Sequence, residues 1–224
     1  MKVTFDHSKP AAQNIITFYF KPDREVRYQA GQFIELRLPH DNKDSRGDKR
    51  WFTLSSSPSE DLLSITTKFT VEDGSSFKNT LRSLQPGTVV DMASPMGDFV
   101  LPKDASIPLV FVAGGIGCTP FHSMVSSLQG SGEDRNVLLL YAANNEQEVA
   151  FKDTFGKLGP RLQMIIGERL DADKILELAG ERPDQYIYLS GPEPMVEALE
   201  KGLKAAGVNK KHIRTDFFPG YTAI

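Results

Sequence analysis

The chain has 224 residues, a quarter of them charged, with 26 Lys and Arg against 29 Asp and Glu for a net charge of -3. That balance excludes the basic surface a nucleic acid needs and a polybasic membrane anchor, and directs attention to small-molecule or protein partners. Cys118 is the sole cysteine, which excludes an intrachain disulfide, a Cys-x-x-Cys redox pair and an iron–sulfur cluster held within the chain, and fits a reducing, cytoplasmic setting.

The first ten residues, MKVTFDHSKP, lack an apolar secretory core, and no apolar run reaches the roughly 18 residues of a membrane span. Up to about residue 100 the chain reads as all-β. Short segments rich in β-branched and aromatic residues occupy 15–20, 32–38, 50–54, 62–69 and 89–93, separated by turn signals such as Lys21-Pro22-Asp23, Asp73-Gly74 and Pro86-Gly87. Strands of this length and spacing predict a small closed barrel or a sandwich. Residues 77–84 (FKNTLRSL) are the single helical piece of this half, and the polar run 40–49 (HDNKDSRGDK) reads as a solvated hairpin tip with no function.

After about residue 105 the texture changes. Apolar strands at 109–113, 137–141, 162–166, 186–190 and 213–218 alternate with amphipathic helices at 119–129, 148–158, 171–180 and 192–206, which predicts a parallel sheet with helices on both faces. The short boundary at 103–107 implies two halves, 1–104 and 105–224, packed together around a cleft.

Three stretches carry chemistry. In Leu109 to Met124 an apolar strand breaks at Gly114, Gly115 and Gly117 and restarts as a helix that opens on Thr119, a candidate cap, and Pro120. Glycines let backbone approach a phosphate, and the first amides of a helix have no partner of their own. In Arg50 to Pro58 (RWFTLSSSP) an arginine fork, two aromatics and four hydroxyls suit a flavin nucleotide: a phosphate, a flat ring and ring heteroatoms. In Tyr186 to Met195 a second apolar strand runs into Gly191-Pro192 and a helix, opening another turn at the same end of the sheet. Ser75, Ser76 and Lys78 could receive a further phosphate, although plain helix capping would use the same serines. The four histidines, at 7, 40, 122 and 212, show no metal-ligand spacing.

In this order, RWFTLSS, AGGIGCTP and LSGPEPM resemble the motifs of the ferredoxin–NADP reductase family of flavoproteins, and the similarity spans nearly the whole chain. The resemblance implies an antiparallel FAD-binding β-barrel (1–104) followed by a five-stranded parallel NAD(P)-binding α/β sheet (105–224). Hydride would pass from NADPH or NADH to flavin N5, and electrons would leave to a ferredoxin, a flavodoxin or another reductase subunit. Carried over by position, Arg50 would hold the diphosphate, Phe52 would lie against the flavin ring and Thr53 would bond near N5. Ser76, Phe77 and Lys78 would take the rest of the diphosphate, and the same resemblance adds Trp51, Ser55, Ser56, Thr67, Lys68, Gly74 and Ser75 to the flavin set. Gly114, Gly115, Gly117, Thr119 and Pro120, with Gly191, Pro192 and Met195, would cradle the nicotinamide dinucleotide. Near the end of the chain Asp216 would approach the nicotinamide and Phe218 would cover the flavin.

Three departures from the family pattern stand out. Phe52 replaces a tyrosine and Ser190 a cysteine, and six residues, Tyr221 among them, follow Phe218. The cofactor choice stays open at this point, because 142–146 offers no base for a 2′-phosphate while Arg169 could supply one. So does the acceptor, since a free-flavin reductase and a flavin-holding subunit of a larger complex are alternatives. A monomer is expected.

Overall fold

The computed structural model describes residues 1–41, 43–69, 75–180 and 182–218, with the backbone alone of Phe218. Six strands build the first half: β1 (Lys2–Ala12), β2 (Ile15–Pro22), β3 (Phe33–Arg37), β4 (Lys49–Thr53), β5 (Leu63–Lys68) and β6 (Val89–Met92), with helix α1 (Ser76–Arg82) between the last two. Their order is β4-β3-β6-β1-β2-β5, and neighbouring strands run antiparallel. An antiparallel bridge from Leu54 to Ile65 joins the two ends of the sheet, which closes it like a barrel. Alternate residues point inward along each strand, so Val3, Phe5, Phe18, Phe20, Ile34, Leu36 and Ile65 fill the interior, and α1 inserts Phe77 and Leu81 among them. Each such side chain contributes about 2 kcal/mol by leaving water.

The second half contains β7 (Leu109–Gly114), α2 (Thr119–Ser131), β8 (Val137–Ala143), α3 (Lys152–Gly156), β9 (Leu162–Ile166), α4 (Ala172–Ala179), β10 (Tyr186–Pro192), α5 (Glu193–Ala205) and β11 (Ile213–Phe218). The strands are parallel, in the order β11-β10-β7-β8-β9. Residues alternate between two buried faces. Phe111, Leu139 and Tyr188 join α2 and α3 on one face, while Val110, Val112, Ile187 and Leu189 join α4 and α5 on the other. The chain winds outward from β7 through β8 to β9 and then returns to β10 on the opposite side. That reversal creates a crevice at the carboxyl ends of β7 and β10, where ligands of open parallel sheets settle.

The first hydrophobic face also takes in Ile15, Ala30 and Phe99 from the other half, so the two halves share a core. Phe99 meets Tyr188 edge-on at 5.2 Å and Phe121 at 5.8 Å. Among the described residues no helix is long and apolar enough to cross a membrane, and no group of His, Cys, Asp and Glu is arranged to hold a metal ion.

Two elements differ from the sequence expectation. β1 is the longest strand, yet it carries His7, Lys9 and Pro10, and register shifts after Phe5 and Pro10 break its alternation. Pro10 is tolerated because β6 pairs only with Lys2 to Thr4, so that end of β1 has one neighbour. The helix expected at 148–158 shrinks to α3, since Val149 and Ala150 are buried ahead of it and Phe151 takes a left-handed conformation with φ of 60°.

Candidate functional site

The turn after β7 is built from close backbone approach. Gly115 has φ of +53°, which an L side chain resists, and nothing lies within 4 Å of where a Cβ would stand, so the turn faces open space there. Gly117 is the opposite case: a Cβ would overlap the Ser190 carbonyl and stand 2.6 Å from the Gly191 Cα. A Cβ on Gly114 would press on the Met195 sulfur at 2.5 Å, and one on Gly191 on the Met195 methyl at 2.7 Å. Gly114, Gly117, Gly191 and Met195 therefore form one packed joint between the two turns, with Pro192 exposed at its rim. Residues 115–118 form a 3-10 turn leading into α2, with Pro120 in its first turn.

Thr119 does not cap α2. Cys118 stands at that position without a side-chain bond, and the Thr119 hydroxyl instead donates to the Ile116 carbonyl at 3.2 Å. Cys118 is fully buried, and burial pushes its thiol up to about 12, so it stays a neutral packing group.

β4 runs along the facing side. Arg50 and Phe52, two residues apart, share one face and meet Phe77: the Arg50 guanidinium lies 5.1 Å from its ring centre and the Phe52 ring 5.9 Å. Trp51 points the other way, is 66% exposed and tilts toward Phe33 at 5.8 Å. Thr53, on the same side as Trp51, is buried, and its hydroxyl approaches the Asp216 carboxyl of the second half.

The group that meets Thr53 is Asp216. β10 and β11 place Ser190 and Asp216 directly opposite each other in register, near the carboxyl ends of both strands. Burial pushes the Asp216 carboxyl up to about 6, with the nearby Thr53 and Ser190 hydroxyls restraining the rise. Asp216 Oδ2 and Ser190 Oγ are nonetheless buried without a completed hydrogen bond among the described residues. An acid and a hydroxyl with unused bonding capacity thus sit where barrel and sheet meet, a combination typical of functional sites.

At the other end of β4 cations collect. Arg46, Arg50 and Lys78 are close enough that, after burial, the two arginines lower the Lys78 amine. Lys78 donates to the Lys68 carbonyl at 2.6 Å, and Arg50 donates to the carbonyls of Arg46 at 2.7 Å and Lys49 at 2.6 Å. The anion among them is Asp44. It accepts from the Ser76 amide at 2.9 Å and from the Arg46 side chain at 2.7 Å, and its other oxygen is 3.7 Å from Arg50. The Arg46 bonds hold its carboxyl well below the usual range. From the run 40–49, expected to be a solvated hairpin tip, His40, Asp44 and Arg46 therefore reach Arg50 and the start of α1. A lone carboxylate in a polar run has no sequence periodicity, and only the fold brings it there.

The remaining site candidates divide. Ser55 and Ser56 are fully buried and turn inward: Ser55 Oγ bonds Ser64 and Thr66 at 2.9 Å each, and Ser56 Oγ bonds Tyr28 at 2.9 Å. Ser75 caps α1 through the Lys78 amide at 3.1 Å, and the Ser76 hydroxyl bonds the Asp44 amide at 3.0 Å. Thr67 is buried within β5, and Lys68 pairs with Glu148 of the other half at 2.7 Å. Gly74 lies outside the described residues, as do the side chain of Phe218 and Tyr221. Two residues not anticipated, His122 and Ser123 of α2, bond the Ser55 and Ser56 carbonyls across the seam at 2.7 and 2.5 Å.

Fold and site together define a class of architecture: an antiparallel barrel set against a parallel dinucleotide-type sheet, with polar groups from both gathered between them. Residues 111–201 match the family model of the oxidoreductase NAD-binding domain. The chain is 32% identical over 203 residues to the ferredoxin reductase component of 3-ketosteroid-9-alpha-monooxygenase from Mycolicibacterium smegmatis, covering 86% of this chain and 56% of that protein. It is 26% identical over 239 residues to flavohemoprotein A of Dictyostelium discoideum, covering 98% of this chain and 60% of that protein. It thus spans little more than half the length of these curated relatives. A ferredoxin NADP+ reductase from Neisseria gonorrhoeae, crystallised with bound FAD and NADP, shares the fold with a TM-score of 0.80 at 18% identity, covering 97% of this chain and 98% of that one. The chain thus shares the fold of ferredoxin–NADP reductase-like proteins, and its residues 111–201 match an oxidoreductase NAD-binding domain.

Proposed function

We propose that the chain is a nicotinamide-dependent flavoprotein reductase, with residues 1–104 holding FAD and residues 105–224 holding NADPH or NADH. The observation that carries this is the meeting of Thr53, Ser190, Asp216 and the Gly117 turn at one seam, contributed by both halves. The residues fit the cofactors. Arg50 and Lys78 are a cationic pair of the kind a diphosphate needs, Phe52 and Phe77 offer flat apolar surface, and open space at Gly115 leaves room beside the helix amides. FAD, when bound, supplies the chemistry by taking a hydride equivalent from nicotinamide and releasing electrons one at a time.

The chain's own part is positional and electrostatic. Arg50 and Lys78 would neutralise phosphate charge, Phe52 would offer its ring to the flavin, and Thr53 would supply a hydroxyl to it. Asp216, with a carboxyl at about 6, can hold or release a proton near neutrality at the same point. The shared core of Phe99, Phe121 and Tyr188 keeps water out from behind the turn.

Electrons then leave to a separate carrier such as a ferredoxin or flavodoxin. The ferredoxin reductase component among the relatives favours a second reading, in which the chain serves a larger oxygenase system. A panel of ferredoxin, flavodoxin, free FMN and ferricyanide, each run with NADH and with NADPH, separates these readings. Rates with a protein carrier should exceed those with free flavin, and preference for free FMN would overturn the carrier assignment.

A further inference from the structure

Two of the bonds joining the two halves fall on adjacent residues of α2, His122 and Ser123. Ser123 is fully buried and its hydroxyl donates to the Ser56 carbonyl at 2.5 Å, an oxygen that also accepts from Tyr28 at 3.0 Å. His122 Nδ1 stands 2.7 Å from the Ser55 carbonyl. A carbonyl only accepts, so Nδ1 carries the hydrogen, and Nε2 is left to accept from the Thr154 hydroxyl at 3.1 Å. One tautomer and one ring orientation satisfy both contacts.

The ring is also clamped. Phe151 stacks on it at 3.8 Å and Phe155 meets it edge-on at 6.1 Å. Phe151 reaches that position from the left-handed conformation, which costs about 1 kcal/mol for a residue other than glycine.

Position along the chain gives the contact its meaning. α2 opens two residues after Gly117, and its first two turns carry His122 and Ser123; Ser55 and Ser56 follow Thr53 by two and three residues. One rigid helix therefore connects the glycine turn of the second half to the strand end of the first. Among the described residues, other cross-seam bonds lie elsewhere: the Gln13 amide on the Gln147 carbonyl at 2.8 Å, the Lys68–Glu148 pair at 2.7 Å, the Arg135 guanidinium on the Pro102 carbonyl at 2.7 Å and the Tyr188 hydroxyl on the Val100 carbonyl at 2.8 Å. These tie the margin and the linker; Asp216 meets Thr53 itself, and His122 and Ser123 grip the residues that follow it.

We propose that His122 and Ser123 are positioning residues: by gripping the Ser55 and Ser56 carbonyls they set the spacing between the Thr53 strand and the Gly115–Thr119 turn. This rests on reading the seam as a flavin and nicotinamide site, where that spacing fixes how closely the two rings stack. The donors need not touch either cofactor to matter, since a misplacement of about 1 Å in such a pair can cost about a hundredfold in rate.

Three full-length variants test it: Ser123→Ala, which removes one oxygen from a buried site, His122→Ala, and His122→Asn, whose side-chain amide can reoccupy the Nδ1 position. Without cofactor, amide hydrogen exchange is measured over 53–57 and 114–120. Both segments should exchange about tenfold faster in Ser123→Ala and His122→Ala, and close to wild type in His122→Asn. With FAD bound, the limiting rate of flavin reduction should fall at least about tenfold in the first two variants and largely recover in His122→Asn, while FAD affinity changes less than about threefold. Wild-type exchange and rate in both alanine variants would overturn the proposal, as would a rate loss matched by FAD loss and not relieved by asparagine. If the wild type is reduced by neither nicotinamide, the functional reading fails, and the exchange measurement still decides whether the latch exists.

Discussion

Replacing Gly117 with alanine tests the joint at the heart of the site. The new Cβ would overlap the Ser190 carbonyl and lie 2.6 Å from the Gly191 Cα, whereas ordinary contact begins at 3.4 Å, and both neighbours are backbone that no rotamer change can clear. The turn and the end of β10 must therefore part by about 1 Å, at a cost of about 1–3 kcal/mol in stability and up to about a hundredfold in the rate at which nicotinamide reduces the flavin. Gly115→Ala is the matched control. Its Cβ meets nothing, so the loss is the left-handed backbone strain of about 1 kcal/mol, and because the methyl enters the open space assigned to nicotinamide, the effect should fall on KM. Thermal unfolding combined with rapid-mixing reduction of the FAD-loaded protein reads both. A Gly117→Ala protein with unchanged melting temperature and a reduction rate within about twofold of wild type would refute the packing argument.

Titration offers two further checks, with opposite signs. Asp216 is raised from 3.8 to about 6 by burial, so its contribution to stability is full below about pH 4 and is lost as pH rises through about 6, by about 3 kcal/mol; Asp216→Asn should gain on wild type across that window, and a pH-independent difference would contradict the burial argument. Burial depresses His122 from 6.5 to about 4, among the Ser55 carbonyl, the Thr154 hydroxyl and the Phe151 and Phe155 rings. Its contribution is present above about pH 6.5 and is lost as pH falls toward about 4, so His122→Gln should flatten the acid limb of a melting-temperature profile, and an unchanged limb would remove His122 as its cause. Asp44→Ala takes an anion out of the Arg50 and Ser76 cradle, and FAD should bind about fivefold tighter, a change of about 1 kcal/mol measured by flavin fluorescence quenching. Weaker binding would mean that Asp44 orients the cradle instead of competing for it.

The centre of the second half was legible in the sequence because β7, β8 and β10 are apolar runs with mostly buried residues, and glycine turns interrupt β7 and β10 sharply. β9 and β11 fall where the pattern places them, and Gly115 and Gly117 serve the turn as expected. The barrel was legible in class but not in full, since β1 mixes His7, Lys9 and Pro10 into a strand that bulges twice. Hydroxyls were the weakest signal: Ser55 and Ser56 looked like ring ligands, but inside a barrel they bond one another's neighbours, and their carbonyls turned out to be what the second half grips. His122 and Asp44 could not be placed from sequence, because their meaning comes from residues 67 and 32 positions away.

The central claim is that a flavin lies at the seam with room for a reduced nicotinamide against it. It is tested most directly by loading the purified chain with FAD, adding one equivalent of NADPH or NADH under anaerobic conditions and following the flavin absorbance. The expected result is a yellow protein that bleaches stoichiometrically with at least one of the two donors. A chain that stays colourless after FAD is added, or that holds FAD and keeps its colour with both donors, would contradict it.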